Sequence, residues 1–192
     1  LETGAEIVTQ GTFTVDAAAQ LQGKRSMMNP EVANEGSDSS QPTDIETSEA
    51  FLQSLEGVLL SYLELKDALV ASAPESAAEK AGAMLEILPE AGDNRAAGER
   101  KTLLNFEKFL NRISQATDLK TQRTQFRLLS EALIGVARPL GTKDTPLYLQ
   151  FCPMANDNKG AYWISRDSSI RNPYYGDAML TCGEVRATWP DD

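Results

Sequence analysis

The chain contains no histidine. That removes the usual general base near neutral pH and the commonest metal ligand. It also excludes Ser-His-Asp and Cys-His catalysis among these residues, and it leaves Ser165 and Ser168 with no imidazole to activate them. Cysteine is almost as scarce. Two residues are too few for a zinc site of four cysteines, and a site of two cysteines and two histidines is excluded with the histidines. No apolar run approaches the roughly 18–20 residues that a membrane helix needs. Basic blocks are missing too: 18 Lys and Arg stand against 28 Asp and Glu, a formal net charge of −10. A nucleic-acid binder needs clustered cations to neutralise phosphates, so that class of partner is not expected. No secretory signal pattern is visible, and the first residue is not Met, which reads as a processed chain or a fragment.

What is present suits a folded protein. The chain has 192 residues, of which 41% are hydrophobic. At roughly 150 residues per domain, that length gives one or two compact units.

Residues 1–30 read as a partial β stub. Glu6-Ile7-Val8-Thr9 and Thr12-Phe13-Thr14-Val15 are short β-prone stretches joined by Gln10-Gly11, with a brief helix capped by Asp16 after them. Residues 31–43, which hold Pro, Gly, Ser, Asp and Asn, read as a linker. Residues 44–192 form the remaining unit.

From about Asp44 to Leu140 the apolar residues recur at helical spacing. Phe51, Leu55, Val58, Leu59, Tyr62, Leu63 and Leu69 mark one helix, which Pro74 is expected to break. Ala77, Ala81, Met84, Leu85 and Leu88 mark a second. Leu103, Phe106, Phe109, Leu110 and Ile113 mark a third. Phe126, Leu129, Leu133, Val136 and Ala137 mark a fourth, stopping at Pro139 and Gly141. Four amphipathic stripes with short connections predict a mainly α protein built on an antiparallel four-helix bundle. The stripes themselves read as core. Beyond residue 146 the pattern changes to a small β-containing cap. Tyr148–Phe151 and Ala161–Ile164 look like strands, and Asn156-Asp157-Asn158-Lys159-Gly160 has turn composition.

The residues that carry chemistry are in this last quarter. Cys152-Pro153-Met154 and Met179-Leu180-Thr181-Cys182 each offer one thiol and one thioether. Such soft donors favour Cu(I) and similar ions over Mg²⁺ or Ca²⁺. A Cys-x-Met in an extended segment puts both side chains on one face. A Met-x-x-Cys fits one helical turn or a tight loop. If the halves meet, Cys152, Met154, Met179 and Cys182 surround one point. A second reading stands beside this one. Cys152 and Cys182 form a disulfide, worth about 3–4 kcal/mol for a loop of roughly 30 residues, and the methionines fill gaps in a small core. Met27-Met28 is a further soft pair, but adjacent side chains diverge.

Two stretches resemble known proteins. Gly4 through Ala17 resembles the segment that closes the membrane-proximal β-domain of periplasmic adaptors in copper/silver efflux pumps of the resistance-nodulation-division type. Four later motifs resemble a domain common in Bacteroidetes, in which a helical bundle precedes a Cys/Met signature. They are Phe151–Ala155, Gly160–Ser165, Ile170–Gly176 and Met179–Val185. The resemblance implies that residues 1–30 are the tail of the adaptor β-domain. It also implies a periplasmic location, with the inner-membrane pump and the outer-membrane channel as partners and adaptor assembly as a route to homo-oligomers. Carried over, Cys152, Met154, Met179 and Cys182 become ligands for Cu(I) or Ag(I), with no catalytic residues and no enzymatic activity. Related domains often carry histidines in the helical part. None is present here, so a site has to be built from sulfur alone or shared with another protein.

Overall fold

The computed structural model describes residues 47–92 and 94–190. The readings of the stub at 1–30, the linker at 31–43 and the pair Met27-Met28 lie outside those residues. The described part is mainly helical, with a three-stranded antiparallel sheet at its C-terminal end. Four helices come first: α1 (Glu49–Val70), α2 (Pro74–Glu86), α3 (Ala97–Gln115) and α4 (Leu119–Ala137). A 3₁₀ turn, Arg138–Leu140, leads into β1 (Leu147–Cys152). A four-residue helical turn, α5 (Ala155–Asn158), separates it from β2 (Ala161–Ser165). A second 3₁₀ turn, Gly176–Met179, precedes β3 (Glu184–Trp189).

Local chemistry sets the helix ends. Ser48 caps α1 by accepting the Phe51 N–H at 3.3 Å. Its own N–H and hydroxyl both donate to Glu99 Oε1, at 2.8 and 2.7 Å, which ties the start of α1 to the first turn of α3. Asp118 caps α4 by accepting the Thr121 N–H at 2.8 Å. The helix is interrupted at Pro74, with Ala73 before it extended. α1 ends at Val70, Ser72 takes a left-handed φ of 54°, and Pro74 opens α2. Proline fits there because a first-turn N–H has no helical partner in any case.

Glu99 is 3% exposed. The Ser48 backbone N–H, more than any other group, holds its carboxyl below the ordinary value of 4.5. A depressed carboxylate pKa adds stability that is present above the ordinary value and lost as pH falls through the folded one. Glu99→Gln should therefore lower the thermal midpoint near neutrality and flatten its decline in acid. Melts between roughly pH 3 and pH 7 measure both effects.

The predicted apolar stripes make the core. Phe51, Leu55, Val58, Tyr62, Leu69, Leu103, Phe106, Leu110, Phe126, Leu129 and Leu133 are all buried. Each such side chain contributes about 1.5–3 kcal/mol relative to exposure. Consecutive helices pack on one another, and α4 packs on β2. Tyr62 of α1 stacks on Phe126 of α4, ring centroids 5.1 Å apart.

The strand order is β2-β1-β3, and both pairings are antiparallel. β2 is buried along its whole length. Two of its backbone groups bond to tyrosine hydroxyls rather than to β1. The Ile164 N–H donates to the Tyr62 hydroxyl at 3.3 Å, and the Tyr174 hydroxyl donates to the Tyr162 carbonyl. Tyr62 also shares a hydrogen bond of 2.7 Å with Ser130. Burial raises the pKa of both phenols well above the ordinary tyrosine value, so they stay protonated.

Arg123 of α4 fastens the sheet region to the helices. Its guanidinium donates to the Leu69 carbonyl, the Ser72 hydroxyl and the Pro173 carbonyl, at 3.1, 2.9 and 3.0 Å.

Candidate functional site

Cys152 is the last residue of β1, and Cys182 lies just before β3. Two registers bring them together: Cys152 pairs with Ala161 on one side, and Phe151 pairs with Glu184 on the other. The two Sγ atoms are 3.5 Å apart, and both residues are free thiols. Cys152 is fully buried and Cys182 half-buried. The thiol–thiol hydrogen bond, then burial and then the charge of Cys152, raises the pKa of Cys182. As a free residue it is therefore a thiol at neutral pH.

Glycine is required beside this pair. Gly183 has φ +141°, and a Cβ there would lie 2.8 Å from the Phe151 carbonyl oxygen and 3.0 Å from Cη2 of Trp163. The Cys182 segment thus runs directly over the buried Trp163 indole. Asn172, itself fully buried, pins it from the other side. Its Nδ2 donates to the Cys182 carbonyl at 2.8 Å, and its Oδ1 accepts the Tyr174 N–H at 2.8 Å.

The methionines sit on the flanking turns. Met154 follows β1 with helical dihedrals (φ −85°, ψ −16°), so the extended alternation expected for Cys152-x-Met154 stops at Cys152. Its side chain is 44% exposed. Met179 ends the second 3₁₀ turn, and the Cys182 N–H donates to its carbonyl at 3.1 Å. The tight-turn reading of Met179-x-x-Cys182 matches that geometry. Met179 is half-buried.

One residue that the sequence did not single out links the two halves. The Tyr175 hydroxyl donates to the Met154 carbonyl at 2.6 Å. Burial, and after it the charges of Cys152 and Cys182, raise the Tyr175 pKa. The phenol holds the Met154 turn near the thiol pair. It lies within the Ile170–Gly176 motif, but its partner, 21 residues away, was not legible.

Among the described residues, no group of three or more Cys, Asp or Glu side chains is placed to hold a metal. A site at the thiol pair must therefore draw further ligands from the methionines or from another molecule. Among the described residues, no helix is long and apolar enough to cross a membrane.

Fold and site together define a helical domain whose C-terminal sheet carries a paired dithiol. A model of the family described as "Protein of unknown function (DUF3347)" matches residues 58–145. That stretch runs from within α1 to just before β1, so both cysteines lie beyond it. No curated protein and no solved structure matches the chain significantly.

Proposed function

We propose that this chain is the C-terminal portion of a periplasmic efflux adaptor that binds a soft metal ion, Cu(I) or Ag(I), and hands it on without covalent chemistry. The observation that carries the reading is the 3.5 Å separation of the Cys152 and Cys182 sulfurs. An ion bonded to both at about 2.3 Å would subtend an S–M–S angle of about 100°, close to tetrahedral. Two further positions would remain for the thioethers of Met154 and Met179, which flank the pair on either turn. A four-sulfur set selects soft ions. On this reading the four helices are an antiparallel bundle that serves as a scaffold, and the pump and the outer-membrane channel are the partners.

Anaerobic titration of the reduced protein with Cu(I) against a competing chelator tests the proposal. One equivalent should bind tightly. Met154→Leu and Met179→Leu should each weaken binding by at least about 10-fold, the lower end of what losing a group that only supports a ligand costs. Because the Cys182 thiol must ionise to bind, affinity should also fall as pH falls, by about 10-fold per unit for each proton displaced.

The same 3.5 Å separation favours one other reading, a disulfide that staples an interaction module. Closing it needs the sulfurs to approach to about 2.05 Å. If the protein isolated without reductant carries no free thiol, and the reduced form ignores Cu(I), the staple replaces the metal site.

A further inference from the structure

A cleft of about 410 Å³ opens between α4 and the turns that carry Met154 and Tyr175. Its size lies within the range typical of small-molecule sites. One wall is α4, which presents Lys120, Arg123, Thr124 and Arg127. The cations fall at i, i+3 and i+7, on one helix face. The facing wall holds Asn156 and Asp157 of α5, together with Tyr174 and Tyr175. Three cations on one wall depart from the acidic balance of the chain, whose net charge is −10.

The neighbouring acids leave donors available. Arg127 pairs with Glu131 through Nη1. Arg123 spends Nε and Nη2 on the carbonyls of Pro173 and Leu69 and on the Ser72 hydroxyl. Asp177 acts on it only as a nearby charge. A guanidinium has five N–H donors, so each arginine keeps at least one nitrogen for a ligand. Arg123 is also fixed in place by its three bonds, which reduces the entropy lost on binding. Lys120 is in the first turn of α4, where a cation opposes the helix dipole. Among the described residues, Asp157 is the one carboxylate on the lining itself.

We infer that this cleft binds the oxyanion group of a small molecule, a phosphate or a carboxylate, through Lys120, Arg123 and Arg127. Arg127 keeps Nε and Nη2, a fork that matches either group bidentately, Arg123 offers its remaining Nη1, and Asn156 adds a neutral hydrogen-bonding group. The inference does not depend on the metal reading, because none of these residues supplies sulfur.

The test uses the reduced, metal-free full chain. Amide shifts around Thr124, Asn156 and Tyr175 are followed by NMR during titration with sodium phosphate, with sodium succinate and, at matched ionic strength, with sodium chloride. Saturable shifts with phosphate or succinate, absent with chloride, are expected. Whichever anion binds names the group, and binding of both names an oxyanion site of either kind. Lys120→Glu should weaken that binding at least about 10-fold while leaving the thermal midpoint unchanged or higher, since an acid in the first turn suits the dipole. A merely structural role for Lys120 would not produce that divergence. Arg127→Gln should weaken binding as well. Shifts that match chloride, or a Lys120→Glu variant that binds like the parent, would overturn the inference.

Discussion

Cys152→Ser should abolish tight Cu(I) binding, lowering affinity by more than the roughly 10–100-fold that loss of a group merely supporting a ligand costs, the largest functional effect expected of any single change in this protein. Three features of the residue set that magnitude. Cys152 is fully buried, so its sulfur position is fixed by packing and not by solvent. It ends a strand paired on both sides, which locks its backbone. Its sulfur is 3.5 Å from the only other thiol in the chain. A serine hydroxyl is a hard donor and does not substitute for thiolate at a soft ion. Competition against a chelator under anaerobic conditions reads the loss, and circular dichroism checks that the variant is folded. Retained affinity in Cys152→Ser would remove the metal proposal.

Trp163→Ala should cost about 3–5 kcal/mol in denaturant unfolding, the largest stability effect expected. Trp163 is fully buried in a strand with no exposed residue, and it meets Tyr174 edge-on at 5.8 Å. Its partner Tyr174 in turn lies 5.9 Å from Phe126 of α4. Removing the indole leaves a cavity bounded by sheet and helix alike, which the surroundings collapse into only partly. The same indole supports Gly183, so Cu(I) affinity should fall with stability. A conservative Trp163→Phe should recover most of both. A melt with an unchanged midpoint would show that the indole is not part of the core.

The helical half was legible because burial there follows a strict period. Phe51, Leu55, Val58 and Tyr62, or Leu103, Phe106 and Leu110, repeat at three and four, and each is buried. β1 and β2 were legible from β-prone runs on either side of a turn-rich segment. β3 was not anticipated. Residues Glu184, Val185, Arg186 and Thr188 are exposed, so no apolar alternation marks the strand, and its pairing partner is distant in sequence. At the candidate site, the sequence supplied the four sulfur residues but not their geometry. That the thiols meet depends on β1 lying between β2 and β3, a topology that spacing does not encode. The Met154 expectation failed because the strand gives way to a turn at Pro153. Tyr175, Asn172 and Trp163 were invisible as site residues because their roles rest on contacts made across the fold.

The tyrosine hydroxyls on β2 have a consequence for what this sheet can join. Tyr62 and Tyr174 occupy the hydrogen-bonding positions that an incoming strand would need on that side. Among the described residues, the sheet is therefore closed at β2 and open along β3, where the exposed residues Glu184 and Arg186 form a salt bridge of 2.8 Å. Charged side chains on an edge discourage unintended pairing. Judged by the described residues, a chain that extends this sheet arrives from one direction, next to Cys182 and the turn that carries it.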